Sequence, residues 1–387
     1  MNLVVFSHKL LWKSAASPSG YATDGGFAFH MQAISELFDS TTLAVPVSKT
    51  SNSQGEVFIT GNNIKIYPLD TLEGDHLRRK LNFIPWLIKN YFIIRKLINN
   101  ADCVHTPIPG DIGTIAMVIT NKLKKPLFVR HCGNWFVQRT ATERFIKNFM
   151  IKNAGGRNIM LATGGAESPP SAMNVNVKWI FSSSLRNKEV LALRNRSHSF
   201  DPRRPNFIIA ARQEKKKGTD KALRALAILK SKNYDFNFDV VGDGSYLPDL
   251  KELAKELGIE ERVNFYGKIS HDEVIRAMQN ADIFVYPTTA SEGFPKVVFE
   301  AMACGLPVIT NPVSVLPQLI AEGGGVLLKD DSPEFIADSI ITILTDPDKY
   351  IKMQQNAFKT SDAFSLEKWR DTIGGYLGAA WGELKNG

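Results

Sequence analysis

The chain has 387 residues, of which 44% are apolar and 22% charged, and its 47 Lys+Arg against 39 Asp+Glu give a net charge of +8. That length is too great for one ordinary core and fits two domains of about 150–200 residues. No apolar run approaches the roughly 18 residues that span a bilayer, and MNLVVFSHKLLWK lacks the charged head and long apolar core of a signal peptide, so the expected location is the cytoplasm.

In chain order, LVVFS (3–7) reads as a buried strand, a Gly-rich loop ends at Asp24-Gly25-Gly26, and helical spacing runs from Phe27 to Phe38. TTLAVPV (41–47) and IKIYPL (64–69) read as strands, followed by a long helical stretch (76–99) that Pro85 interrupts. CVHTPI (103–108), a helix through Leu123, PLFVRHCG (126–133), a helix at 141–153 and NIMLATGG (158–165) continue the alternation. RNRSHSFDPRRPN (194–206) is polar, carries two prolines and reads as an interdomain linker. A second series follows, with strands at 206–212, 236–244, 262–268, 283–289, 306–310 and 325–328 and helices between them. Short β-like segments alternating with helices of ten or more residues predict parallel sheets in doubly wound layers. The last stretch, 348–384, is helical and aromatic, and its end is expected to pack back on the first domain. The expected division is 1–190, then 191–365, with a C-terminal helix of about 366–387 returning to the first domain.

Charge is uneven between these halves. Residues 1–190 hold 22 Lys+Arg and 12 Asp+Glu, net +10, whereas the remainder holds 25 and 27, net −2. The first half therefore suits an acidic neighbour such as a lipid surface or an anionic acceptor. HLRRKLNFIPWLIKNYFIIRKLI (76–98) mixes six Lys/Arg with Phe83, Trp86, Tyr91 and Phe92, a composition suited to an anionic membrane surface. Cys103, Cys132 and Cys304 are far apart and show no CxxC spacing, which points to free thiols and neither a disulfide framework nor a metal site.

SEGFPKVVFEAMACGLPVIT (291–310) places Glu300 within an otherwise apolar helix, from about Pro295 to Cys304, with Glu292 eight positions earlier in the preceding loop. A buried carboxylate without a partner costs several kcal/mol, roughly, so Glu300 needs a hydroxyl or cationic partner. The free N–H groups at Gly293, Phe294 and the helix start offer a site for phosphate between the two acids. In FIIAARQEKKKGTDKALRA (207–225), Arg212 ends a strand and Lys217 precedes Gly218 at the mouth of a helix capped by Thr219 or Asp220, so two cations can converge on a pyrophosphate at a strand end.

These residues resemble the retaining glycosyltransferases of family 4, whose signature includes an E-x7-E segment and an Arg-x4-Lys-Gly segment. VVGDGSYLPDL (240–250) is similar to the family's Gly-rich turn and RVNFYGKISHDEV (262–274) to its strand before the base pocket. The likeness extends over about 200 residues in the right order. It implies a GT-B fold, α/β, with two facing Rossmann-like doubly wound domains and an interdomain cleft. It also implies transfer of a hexose from a nucleoside-diphosphate sugar to a saccharide or lipid-linked acceptor, with the anomeric configuration retained and no cofactor or metal. By the same resemblance Arg212 and Lys217 neutralise the leaving diphosphate, Glu292 and His131 orient the donor sugar, and Glu300 grips the ribose. Gly25, Gly26, Gly242, Tyr266, Gly267, Gly293, Phe294, Lys296 and Val297 complete the expected donor contacts. Asn134 and Trp135 offer further sugar contacts, and His105, on an adjacent strand, reads as structural. Where the family has a Pro-Asn-Gly turn before the second domain, this chain has WIFSSSLRN (179–187), so its interdomain entry and its acceptor differ from the commoner members.

Other classes fit less well. VGDGSYL supplies only two glycines of a dinucleotide fingerprint, there is no P-loop, and no nucleic-acid module is recognisable. A sugar-nucleotide epimerase or hydrolase of the same fold, and a non-catalytic glycosyltransferase-like subunit, are the alternatives.

Overall fold

The computed structural model describes residues 1–48, 57–61, 63–71, 76–166, 168–194, 199–290 and 294–385, and the side chains of 76–81 and 83 lie outside that set. The chain divides into two compact units: residues 1–184 with 366–387, and residues 185–365. The boundary thus falls ahead of Val190, because Leu185, Val190 and Leu193 are buried in the second unit's core.

The first unit is built on seven strands: β1 (Asn2–Phe6), β2 (Ser40–Pro46), β3 (Ile64–Leu69), β4 (Cys103–Ile108), β5 (Leu127–His131), β6 (Asn158–Thr163) and β7 (Val177–Ile180). They are all parallel, in the order β7-β6-β5-β4-β1-β2-β3. Both faces are covered, which is why the central strands read as apolar runs and not as alternation. α2 (His76–Asn100), α3 (Asp111–Lys122) and α4 (Ala141–Asn153) cover one face, while α1 (Phe27–Ser35) and the C-terminal helix Leu366–Trp381 cover the other. Leu366, Trp369, Ile373 and Leu377 form one i, i+3, i+4 stripe, and all four are buried on that second face.

Two local expectations fail. α2 runs unbroken through Pro85, which is exposed, so the ring and the missing hydrogen bond lie on the solvent side of the helix. The long loop between His8 and Gly26 also carries strand structure. Trp12–Lys13 and Tyr21–Thr23 pair antiparallel with each other, and the latter pairs with Val57–Phe58. Elements of two or three residues are too short to show a period in the sequence.

The second unit carries β8 (Asn206–Ala210), β9 (Asn237–Val241), β10 (Val263–Gly267), β11 (Ile283–Tyr286), β12 (Val308–Thr310) and β13 (Gly325–Leu327). All are parallel, in the order β10-β9-β8-β11-β12-β13. Helices α5 (Asn187–Leu193), α6 (Thr219–Ser231), α7 (Leu247–Glu256), α8 (His271–Gln279) and α9 (Lys296–Ala303) lie among its connections. In each sheet the first strand lies between the second and the fourth, the doubly wound order in which the chain reverses direction of travel. Ligands of such sheets bind outside the carboxyl ends of the strands at that reversal, which in this unit lies between β8 and β11.

Candidate functional site

The loops leaving β8 and β11 are fastened together. Lys215–Lys217 form one turn of 3-10 helix, and the Lys216 carbonyl accepts from the Thr289 N–H (2.9 Å) and the Thr288 hydroxyl (3.1 Å). Gly218 follows at φ +79°, where a β-carbon would run into the Pro287 carbonyl, so glycine is required by both conformation and space. The turn aims Lys217 inward. Its side chain is buried, with Nζ 3.3 Å from the Tyr286 hydroxyl at the end of β11. Arg212 differs: its side chain is 76% exposed and pairs with Glu214 at 3.2 Å. The two cations stand on one loop in different environments, Lys217 fixed and Arg212 in solvent.

Thr219 does not cap α6. Gly218 holds the cap position, and the Thr219 hydroxyl donates instead to Gln213 Oε1 at 2.7 Å. Gln213 is fully buried, and its amide donates at 3.0 Å to the carbonyls of both Ala211 and Val241. This ties the ends of β8 and β9 to the start of α6, a bracing role with no signal in the residue pattern around Gln213. Gly242 sits beside it at φ +112°, where a β-carbon would overlap the Ala211 carbonyl oxygen. Gly267 ends β10 at φ +64° with open space around it, and its carbonyl accepts from the Gly242 N–H at 2.8 Å. Tyr266, half exposed, bonds Asp239; burial and that carboxylate push the tyrosine's pKa up.

α9 begins at Lys296 with Pro295 at its cap, and its buried positions are Val298, Phe299, Glu300, Ala301, Met302 and Ala303. Glu300 is 7% exposed. Its partner is His271, the first residue of α8, whose Nε2 donates to Glu300 Oε1 at 3.1 Å. The hydrogen bond to Glu300 raises the His271 pKa against the opposing effect of burial. The sequence signals a need for such a partner, yet it lies 29 positions earlier, on a different helix. Phe294 packs on Phe364 with ring centroids 5.8 Å apart, and Val297 borders the same core. Glu292 and Gly293 lie outside the described residues.

In the first unit His131 ends β5 and is 2% exposed, with its ring edge-on to Trp135 at 5.3 Å. Burial pulls its pKa down to about 4, so it is neutral at physiological pH, and among the described residues its Nδ1 has no hydrogen-bond partner. Trp135 is itself buried, its indole N–H donating to the Pro170 carbonyl, so its hydrogen-bonding edge is already used. The Asn134 side chain accepts from the N–H groups of Phe136 and Val137 and shapes that loop. His105 is structural: it is fully buried, stacked on Phe128 at 4.1 Å, and donates to the Phe128 carbonyl at 3.0 Å. Gly25 has φ +66° and Gly26 starts α1, which gives that helix a glycine entry without a side-chain cap.

Residues 194–360 match the family described as "Glycosyl transferases group 1". The second unit thus resembles the group 1 glycosyl transferases. Among the chain's relatives, an uncharacterized glycosyltransferase of Methanocaldococcus jannaschii is 25% identical over 76% of the chain and 80% of its own length. A D-inositol 3-phosphate glycosyltransferase of Corynebacterium glutamicum is 34% identical over 38% of the chain, which spans only 37% of that relative. The crystal structure of HepE from Anabaena, in complex with UDP and glucose, superposes with a TM-score of 0.66 at 18% identity, covering 98% of this chain and all of that one. That likeness shows the fold, which is the α/β fold of GT-B glycosyltransferases. Among the described residues no helix is long and apolar enough to cross a membrane.

Proposed function

We propose that the chain is a retaining hexosyltransferase that moves a sugar from a nucleoside diphosphate to an acceptor hydroxyl in polysaccharide, lipopolysaccharide or lipid-linked glycan synthesis. The observation that carries this reading is the buried Lys217 ammonium, held beside Tyr286 at the β8–β11 reversal. A cation fixed in a buried site stabilises a departing diphosphate far better than one in bulk solvent. Exposed Arg212 adds a second positive group that swings without breaking core packing.

In the proposed reaction the bond between the anomeric carbon and the diphosphate oxygen breaks, with the electron pair leaving on the diphosphate. The acceptor oxygen forms its bond on the same face, and its proton passes to the departing diphosphate oxygen. Lys217 and Arg212 meet the developing charge, and neither a metal nor a cofactor has a part in the step. Glu300 accepts from the ribose hydroxyls, while Glu292 and neutral His131 orient the sugar. The backbone around Gly242, Gly267 and Gly293, with Tyr266, Phe294, Lys296 and Val297, borders the nucleotide, and Gly25 and Gly26 approach the donor. The HepE complex with UDP supports a nucleotide-sugar donor. Turnover of UDP- and GDP-sugars by wild type, Lys217→Ala and Glu292→Ala tests the proposal, and unchanged turnover in both variants sinks it. Donor consumed equally well without any acceptor would favour an epimerase or hydrolase instead.

A second reading concerns place: a cytoplasmic protein resting on the inner membrane face. α2 exposes Ile84, Ile88 and Phe92 at 63%, 65% and 72%, four residues apart and hence on one stripe. Lys89, Arg95 and Lys96 are exposed on the same helix. Apolar side chains rimmed by cations favour anionic lipid, which would bring the enzyme to a lipid-linked acceptor.

A further inference from the structure

We propose that His271 is a positioning residue for nucleotide binding, fixing the Glu300 carboxylate through Oε1 and coupling nucleotide affinity to its own protonation. The inference rests on the reading of Glu300 as the ribose ligand. Its basis is geometric. Glu300 projects from α9 within an apolar helix face, its side chain is 9% exposed, and His271 Nε2 stands 3.1 Å from one of its two oxygens. A carboxylate accepts about four hydrogen bonds, so one held by a single imidazole donor keeps the capacity for a vicinal diol while its rotamer is fixed.

His271 is placed by its own helix start. Ser270 caps α8, its hydroxyl and N–H bonding Glu273 at 2.6 and 2.8 Å in a capping box, so the first residue of the helix is rigidly directed. The imidazole is 56% exposed, which leaves it able to exchange protons with solvent. Among the described residues the charged groups around it are Glu300 on α9, Asp272 on its own helix and Glu189 on α5, and together they favour the imidazolium. A nucleotide seated on Glu300 would exclude water from the pair and bring a diphosphate nearby. Loss of water by itself disfavours the imidazolium, but it also strengthens the pairing with Glu300, and the diphosphate's negative charge adds to that pull, so the net change is a firmer hold on the proton. The bound state then takes up protons, and by linkage nucleotide affinity falls as pH rises through the His271 pKa.

The test is calorimetric titration of the full chain with UDP and, separately, GDP from about pH 6 to about pH 8.5, on wild type, His271→Gln, His271→Ala and Glu300→Gln. For the nucleotide that binds, wild-type affinity relative to His271→Gln should fall about fivefold across that range. His271→Gln, which keeps a neutral donor, should bind better than His271→Ala. A flat ratio between wild type and His271→Gln overturns the inference, as does one that rises with pH. If Glu300→Gln leaves affinity unchanged, the ribose reading itself fails, a different result from a pH-insensitive His271 beside an essential Glu300. Absence of binding by wild type to either nucleotide overturns both.

Discussion

The ammonium of Lys217 lies 3.3 Å from the Tyr286 hydroxyl and 5.9 Å from the centre of its ring, within the second unit's interior at the ends of two adjacent strands. An ammonium held in the interior at the ends of these two strands is placed to meet an anionic ligand. Replacing Lys217 with Met keeps the length and apolar stem and removes the charge. Lys217→Met should fold and lose about 100- to 1,000-fold in donor turnover, the size of a lost transition-state charge contact. Lys217→Arg should not restore it, because the planar guanidinium does not fit a site shaped for a compact ammonium. Steady-state kinetics with circular dichroism as the folding control decides this, and a Met variant with wild-type turnover would remove Lys217 from the chemistry.

Two glycines with similar roles in the sequence should behave differently. Gly242→Ala places a methyl group against the Ala211 carbonyl, where the backbone is already pinned by Gln213, and should destabilise the protein by more than about 3 kcal/mol. Gly267→Ala meets open space and only the left-handed backbone cost, about 1–2 kcal/mol. Urea unfolding followed by fluorescence should rank them in that order, and equal losses would contradict the close approach at Gly242.

These glycines also mark what the sequence made legible. The strand-loop-helix series of both units follows from apolar runs between turn residues, and Lys217-Gly218 and Glu300 stood out because a cation and an acid interrupted apolar surroundings. Their partners were harder to see. Tyr286 and His271 are distant in sequence, and neither is unusual for its own segment; only the sheet order and the packing of α8 near α9 bring them in. Pro85 does not end α2 because its exposed ring costs the helix one hydrogen bond and local crowding of the preceding turn, while the buried face of the helix keeps its packing.

The stripe on α2 predicts a lipid-dependent behaviour. Wild type should sediment with vesicles containing anionic phospholipid and not with zwitterionic ones, and the triple variant Ile84→Ser, Ile88→Ser, Phe92→Ser should remain in solution. Each exposed side chain contributes about 1.5–3 kcal/mol on full burial, so losing three is decisive even when insertion is partial. Raising the salt concentration should weaken wild-type binding through the screening of Lys89, Arg95 and Lys96. Equal partition of wild type and variant would remove α2 from any membrane contact.

His105 predicts the acid limb of stability. Burial and the nearby Arg130 charge lower its pKa from 6.5 to about 3. Between those values the unfolded chain holds a proton at this site that the folded chain refuses, so stability is full above about pH 6.5 and falls as the pH drops toward 3. One such group contributes a slope of about 1.4 kcal/mol per pH unit in that window. His105→Phe should preserve the stacking on Phe128, leave the Phe128 carbonyl without its donor and lower stability at neutral pH by about 1–3 kcal/mol. The same substitution should flatten the acid limb by about one proton's slope. His131, lowered to about 4, still contributes in the variant, so some acid dependence remains. Denaturant unfolding at several pH values measures both effects, and an unchanged slope in the variant would mean that His105 is protonated within the fold.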